Sequence, residues 1–153
     1  MWAFGKPLFR KPLVTVSWRS FGFYALNGVS TIAFHRRITQ ETVCSAFHQI
    51  REQNPTRRIL LVLDNHSAHR ARRTRETANQ LGITLVFLPP YSPSLNPIEP
   101  VWKSLKRALS PNRVESADQF RALVTKHFLD LTQRHSFANH WIKTLVPNIQ
   151  RLR

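Results

Sequence analysis

Two acidic residues lie where a carboxylate could do chemistry. Asp64 directly follows the apolar run Ile59–Leu63, and Glu99 lies in the segment "FLPPYSPSLNPIEPVWKSLKR", with 34 residues between the two acids. Acids are scarce in this chain, which has 8 Asp and Glu against 23 Lys and Arg and a formal net charge of +15. Two carboxylates brought together would bind a hard divalent cation, which prefers oxygen ligands. Simpler roles stay open, because Asp64 could be a turn residue and Glu99 a helix-dipole partner.

The segments around the two acids predict a strand–helix–strand unit. The unbroken run Ile59–Leu63 is typical of a strand buried on both faces, and "ITLVFLP" (83–89) predicts a second such strand. Between them, residues 70–81 predict a helix with a basic outer face that ends at Gly82. Its predicted inward residues are Ala71, Thr74, Ala78 and Leu81. Because the strands of such a unit are parallel, their carboxyl ends share one edge of the sheet, where functional groups gather.

The segment around Glu99 is stiffened by proline. Five prolines restrict its backbone and lower the entropy of its unfolded state: Pro89, Pro90, Pro93, Pro97 and Pro100. A proline directly after Glu99 suits the first turn of a helix, so we expect Glu99 near the N-terminus of a helix that includes residues 101–109.

The rest of the chain predicts strands first and helices last. The opening predicts three antiparallel strands at 13–18, 21–28 and 29–36, with turns at "RS" and at Asn27-Gly28. A helix over 39–52 then buries Val43, Phe47 and Ile50 and ends at Asn54-Pro55.

Two amphipathic helices are predicted near the C-terminus. The first spans 116–134, begins with a Ser116/Gln119 capping box and places five apolar residues on one face, namely Phe120, Leu123, Val124, Phe128 and Leu131. The second is indicated by a spacing of four between Phe137, Trp141, Leu145 and Ile149. Together these elements predict a mixed-sheet α/β domain.

The excess of basic residues predicts a polyanionic partner, with nucleic acid the first candidate. The basic residues that bracket the two acids are Arg57, Arg58, Arg70, Arg72, Arg73, Arg75, Lys103, Lys106 and Arg107. Such residues would neutralise phosphates and bring DNA to the acids; a solvated helix face is the alternative. No apolar run approaches the ~20 residues of a membrane span. The single cysteine, Cys44, excludes an internal disulfide and fits a reducing cytoplasm.

Zinc is disfavoured as the metal. His66 and His69 could suggest it, but no cysteine or second histidine pair completes a tetrahedral set. Structural or DNA-facing roles suit both histidines better.

The two acid-bearing motifs, "LVLDNHSAH" and "LPPYSPSLNPIEPVWKSLKR", resemble the catalytic core of mariner-type DDE transposases, in the branch carried by bacterial and archaeal insertion sequences. The resemblance covers most of the chain, from the opening strands to at least Leu109. It implies an RNase H-like fold, a five-stranded mixed sheet flanked by helices, in which three carboxylates bind two Mg²⁺ or Mn²⁺ ions. Asp64 resembles the second of these acids and Glu99 the third.

The resemblance also implies an activity and partners. The reaction would be two-metal phosphoryl transfer with water or a DNA 3′-hydroxyl as nucleophile, performed by a homodimer on transposon ends and target DNA, in the cytoplasm at the nucleoid. Tyr91, Pro97 and Trp102 match positions around the third acid. The residues expected to contact DNA are Asn65, His66, His69, Arg70, Arg72, Arg73, Asn96, Lys103, Lys106 and Arg107.

The chain departs from that family at its first acid. No acid precedes Glu41, and Glu41 belongs to the first turn of a predicted helix. We therefore expect residues 1–153 to form one catalytic domain without its central first strand and first Asp, with a core to about residue 110 and C-terminal helices over 116–153. An upstream reading frame could supply the missing part. The alternative is an inactive remnant that at most binds DNA or interferes with assembly.

Overall fold

A computed structural model describes residues 2–3, 18–134 and 136–145. Within these ranges the chain forms five strands and six α-helices: β1 (Trp2–Ala3), β2 (Arg19–Phe23), β3 (Thr31–His35), α1 (Gln40–Gln53), β4 (Ile59–Leu63), α2 (Ser67–Arg70), α3 (Arg72–Gln80), β5 (Ile83–Phe87), α4 (Glu99–Leu109), α5 (Ala117–Thr132) and α6 (Ser136–Leu145). A 3₁₀ turn at Pro93–Leu95 lies between β5 and α4. No helix in these ranges is both long and apolar enough to cross a bilayer.

The strands form two adjoining sheets, a three-stranded antiparallel sheet and a two-stranded parallel sheet. β1, β2 and β3 are antiparallel neighbours, whereas β4 and β5 pair in parallel from Ile59–Ile83 to Leu63–Phe87. The two sheets adjoin where β1 contacts β4. This arrangement confirms the predicted mixed α/β class. The two residues of β1, Trp2–Ala3, lie between β2 and β4, and the expectation that the central first strand is missing stays a prediction.

The predicted turn at "RS" is wrong. Arg19 and Ser20 lie inside β2, where they pair with His35 and Phe34 of β3. Propensity alone misplaced the turn, since Ser20 is a buried strand residue that fits its tertiary partners. The chain reverses instead around Asn27-Gly28, as predicted for that dipeptide. Residues 13–17 of the first predicted strand lie outside the described residues.

Asn54 fastens this reversal to the end of α1. Its side chain accepts a hydrogen bond from the Val29 N–H at 2.8 Å and donates to the Val29 carbonyl at 3.1 Å. A Cβ at Gly28 would lie 2.4 Å from Asn54 Oδ1, so glycine is needed here for close approach. The sequence had indicated Asn54 only as a helix stop.

Burial of β4 and β5 on both faces is also wrong for the described residues. Leu61 and Leu63 are fully buried under α1 and α3, but Leu60 is 65% exposed and Val86 40% exposed. Strand alternation sends Leu60 and Val86 to the opposite face, on which α4 and α5 pack only near Val62.

The helix predicted over 70–81 is divided in two. Ala71 has an extended backbone (ψ 144°) that ends α2 and starts α3. The break is held by Thr74, whose buried hydroxyl donates to the Ala68 carbonyl at 2.7 Å. Thr74 and Ala78 are buried as predicted, and Gly82 follows the helix with φ +63°.

The longer helices match their predictions closely. α1 starts with a reciprocal capping box between Thr39 and Thr42. α5 starts with Ser116, which accepts from the Gln119 N–H at 3.1 Å, while the Gln119 side chain accepts from the Glu115 N–H. The predicted spacing around Phe137 lies on α6, except that Ile149 is outside the described residues.

Arg51 joins three segments through its guanidinium, and its loss should destabilise the domain. It donates to the carbonyls of Leu81 at 2.8 Å, Gly82 at 3.1 Å, Asn54 at 3.0 Å and Arg57 at 2.8 Å. We expect Arg51→Ala to lower the free energy of unfolding by about 2–3 kcal/mol, since hydrogen bonds from charged donors are the stronger ones.

Urea denaturation would measure the Arg51 effect, with Arg72→Ala as the control. The Arg72 side chain is 91% exposed and pairs only with Glu76, so its removal should cost less than about 0.5 kcal/mol. Equal losses in the two variants would contradict the bridging role of Arg51.

Candidate active site

Asp64 lies directly beyond the carboxyl end of β4 and is held from two sides. His69 Nδ1 lies 2.6 Å from Asp64 Oδ1, and the backbone N–H of His66 donates to the same oxygen at 3.0 Å. His69 comes from α2, which starts three residues after Asp64 and turns the buried His69 ring back towards that carboxylate. The short helix therefore fixes the orientation of the carboxylate.

The surroundings of Asp64 favour its ionised form. Burial by itself raises the pKa of this carboxyl, but the His69 hydrogen bond and charge, together with the His66 N–H and ring, hold the pKa below its ordinary value. Asp64 is thus a carboxylate at neutral pH.

Asn65 connects the two loops that carry the acids. Its side-chain amide donates a short hydrogen bond to the Leu88 carbonyl, one residue beyond β5. The Leu88 N–H in turn donates to the Leu63 carbonyl at 2.8 Å, which extends the pairing of β4 and β5. The start of the proline-rich loop is therefore fixed beside Asp64.

The other end of that loop is fixed by Asn96. This residue is buried, and its side-chain oxygen accepts from the Ile98 N–H at 3.1 Å. Its backbone carbonyl accepts from the Glu99 N–H at 3.2 Å. Glu99 is consequently the first residue of α4, followed by Pro100, as the sequence predicted.

The Glu99 carboxyl is half-buried and lacks a partner for one oxygen. Oε1 is buried without a hydrogen-bond partner among the described residues. Burial raises the pKa of Glu99, the Lys106 ammonium lowers it, and the Asp64 carboxylate raises it; the net result lies above the ordinary value. The Asp64 carboxylate thus acts on the pKa of Glu99 although 34 residues lie between the two acids in the sequence.

The remaining predicted site residues divide by exposure. His69 and Asn96 are buried and bond within the protein. Asn65 is half-buried, whereas the others are exposed: His66, Arg70, Arg72, Arg73, Lys103, Lys106 and Arg107. Two of these arginines have acidic partners, with Arg72 2.7 Å from Glu76 and Arg73 3.7 Å from Glu41.

The described residues contain no group of three or more His, Cys, Asp or Glu side chains that could hold a metal ion. The candidate site contains two carboxyls, Asp64, which is ionised, and Glu99, which has an unsatisfied buried oxygen. Such a pair could bind a divalent cation through oxygen, as the sequence predicted, but it does not form a closed site by itself.

Two features near the site went unrecognised in the sequence. Gly22 of β2 lets the Trp102 ring of α4 lie against the strand, since a Cβ there would be 2.8 Å from two ring atoms. A glycine inside a predicted strand was the available signal. The second feature is Tyr91, whose motif position was noted but not its left-handed backbone (φ 57°); neither pattern nor composition predicts that conformation.

The raised pKa of Glu99 predicts how the stability of the metal-free protein depends on pH. A carboxyl whose folded-state pKa is raised stabilises the fold at low pH and loses this contribution as pH rises through that pKa. In EDTA, Glu99→Gln should therefore melt above the wild type at about pH 8, with the difference vanishing near about pH 4. Differential scanning fluorimetry measures the melting temperature at both pH values. A Glu99→Gln variant that melts no higher than the wild type at the higher pH would contradict the unfavourable ionisation of Glu99.

Comparison with known proteins supports the mixed α/β fold described above. Residues 16–121 match the family model described as DDE superfamily endonuclease. An uncharacterised protein, y4pE/y4sA of Sinorhizobium fredii (strain NBRC 101917 / NGR234), is 40% identical over 55 residues, which are 36% of this chain. The chain spans 38% of the length of that relative.

Solved structures of the Mos1 mariner transposase share the fold. Its catalytic domain superposes with a TM-score of 0.62 at 16% identity, covering 86% of this chain and 74% of that one. The Mos1 strand transfer complex gives a TM-score of 0.65 at 17% identity and covers 94% and 47% of the two chains. Mos1 catalytic domains have also been solved with Raltegravir and either Mg or Mn, each at 16% identity. In the first of these, with Mg, the match covers 86% of this chain and 75% of that one, with a TM-score of 0.61.

Proposed function

Because the chain belongs to the DDE superfamily of endonucleases, with an RNase H-like fold, we propose that it cleaves and joins DNA as part of a transposase. The observation that carries this proposal is a set of two carboxyls, Asp64 directly beyond the parallel strand β4 and Glu99 at the start of α4, the first of which acts electrostatically on the second. One acid is held ionised by His69, and the other has a buried oxygen without a partner. A chain with a formal net charge of +15 would bring the phosphate backbone to this pair.

Asp64 and Glu99 would hold Mg²⁺ or Mn²⁺. Both hydrogen bonds to Asp64 reach Oδ1, which leaves Oδ2 to face a cation, and Glu99 offers its unsatisfied Oε1. When bound, such ions activate an attacking oxygen and stabilise a leaving oxygen in phosphoryl transfer. We propose that the complete site holds two such ions, as the resemblance to this family implies. The Mg and Mn structures of the Mos1 catalytic domain support this choice of metal.

The protein's own groups would position the reactants. His69 orients Asp64 through its 2.6 Å bond, and Asn65 and Asn96 fix the two loops, so these three residues act within the protein. The exposed residues are left to contact DNA, and we assign this role to His66, Arg70, Arg72, Arg73, Lys103, Lys106 and Arg107. Their phosphate contacts would set register and make binding dependent on salt.

A third carboxylate belongs to the proposed site and would come from outside residues 1–153. No acid precedes Glu41, and Glu41 lies in the first turn of α1, paired with Arg73. The strand β1 contacts β4, and we propose that the segment that carries the third carboxylate adds to the fold beside these two strands. Homodimeric assembly on DNA ends at the nucleoid belongs to the same proposal.

A plasmid-nicking assay tests the need for a third carboxylate. The 153-residue chain with Mn²⁺ should leave supercoiled DNA intact. A chain extended before Met1 by a short strand segment with one Asp should nick it, and the same extension with Asn should not. Nicking by the unextended chain that disappears in Asp64→Ala would show that two carboxylates suffice.

A DNA-binding protein without catalysis is the second candidate function. It is favoured by the absence of a third ligand among the described residues. Salt-dependent DNA binding together with inactivity of every Asp-bearing extension would support it.

A further inference from the structure

Tyr91 combines exposure with a strained backbone. Its side chain is fully exposed, at 103%. Its φ of 57° lies in the left-handed region, and among the described residues it is the one non-glycine with positive φ. Glycine or asparagine adopts this conformation at lower cost than a tyrosine. Neither burial of the ring nor ease of the turn therefore explains tyrosine at this position.

The loop restrains the backbone that carries this exposed ring. Pro89, Pro90 and Pro93 surround Tyr91, and the Ser92 hydroxyl donates to the Pro90 carbonyl at 3.2 Å. On one side the loop is fastened to Asn65 through Leu88, and on the other it enters the 3₁₀ turn at Pro93–Leu95. A backbone so restrained loses little further entropy when a ligand packs against the ring.

Tyr91 lies at the rim of the cleft that contains Asp64. This cleft of about 290 Å³ is lined by Asp64, Asn65 and His66 on one side and by residues of the proline-rich loop, including Tyr91, on the other. A molecule that reached Asp64 through the cleft would therefore pass the tyrosine.

We propose that Tyr91 is a platform on which a nucleobase stacks beside the reacting phosphate. The inference rests on the proposed action on DNA and adds a residue that positions the substrate. Every base has a π-face, so such a contact tolerates any sequence, and an aromatic side chain can supply it. Bases inside a duplex are already stacked, so the partner is an unpaired base at a strand end or nick. Held there, it would align the adjoining phosphate with Asp64 and Glu99.

Fluorescence of 2-aminopurine tests this stacking. The probe is a duplex oligonucleotide with a short 3′ overhang that carries 2-aminopurine, bound by the full chain in Ca²⁺. We expect strong quenching with the wild type and with Tyr91→Phe, which keeps the ring. Tyr91→Ala and Tyr91→Asn should lose the quenching and bind the overhang roughly tenfold more weakly, with unchanged affinity for a blunt duplex.

The variants separate the alternatives. Asparagine tolerates the left-handed backbone, so Tyr91→Asn should melt no lower than the wild type, which excludes misfolding as the cause of a loss. Quenching that survives in Tyr91→Ala would overturn the stacking role while leaving the proposed function intact. A loss in Tyr91→Phe equal to that in Tyr91→Ala would also overturn it, in favour of a contact from the hydroxyl. Absence of DNA binding by every variant and the wild type would overturn both proposals.

Discussion

Replacing Trp102 by alanine should lower the free energy of unfolding by about 3–5 kcal/mol. The Trp102 ring is buried and stacks on Phe128 with the ring centroids 5.2 Å apart, and it lies against Gly22. Its removal leaves a cavity between β2, α4 and α5 and takes away the contact that fixes the helix starting at Glu99. Chemical denaturation measures the loss. Trp18→Ala is a suitable control, because Trp18 is half-buried beneath the Arg121 guanidinium. Its replacement should lower the free energy of unfolding by less than that of Trp102.

A double-mutant cycle with Gly22 tests the geometry behind this loss. Gly22→Ala should cost about 1–3 kcal/mol, since its methyl group would lie 2.8 Å from the Trp102 ring. In the double variant the Trp102 ring no longer opposes the methyl group. The double variant should therefore lose less unfolding free energy than the sum of the losses in the two single variants. Strict additivity would contradict the close approach of ring and strand.

The second large effect concerns catalysis in the Asp-extended chain. Asp64→Asn and Glu99→Gln should each reduce plasmid nicking at least about a hundredfold. Substituting a residue that only hydrogen-bonds to a metal ligand already lowers metal affinity or activity roughly 10–100-fold. Glu41→Gln is the matched control: Glu41 also lies in the first turn of a helix but pairs with Arg73. The Glu41→Gln control should nick the plasmid at the rate of the parent, and a comparable loss in the control would contradict the specific role of Asp64 and Glu99.

Much of the local structure could be predicted from the sequence because it depends on local chemistry. The run Ile59–Leu63, the Ser116 cap and the proline after Glu99 each specify an element within a few residues, and all three were placed correctly. The family and its fold were predicted from two motifs and the gap between them, and the comparisons bear them out.

What failed depends on long-range packing. Arg19 and Ser20 form a strand because β3 pairs with them, and the exposure of Leu60 depends on where α4 and α5 pack. The break at Ala71 depends on the hydrogen bond that the Thr74 hydroxyl, three residues further on, donates to the Ala68 carbonyl. The approach of Trp102 to Gly22 joins residues 80 positions apart, which no local pattern reveals. The site itself was predicted as two acids, but not the bond from His69 that holds Asp64 ionised.

Asp64 and Glu99 should together bind a divalent cation, and Mn²⁺ titration followed by electron paramagnetic resonance tests this binding most directly. Bound Mn²⁺ loses its free-ion signal, so the 153-residue chain, Asp64→Asn, Glu99→Gln and Glu41→Gln can be compared at one pH. We expect both site variants to bind at least about tenfold more weakly than the wild type, and Glu41→Gln to bind as the wild type does. Equal Mn²⁺ binding by all four proteins would contradict binding by these two carboxyls.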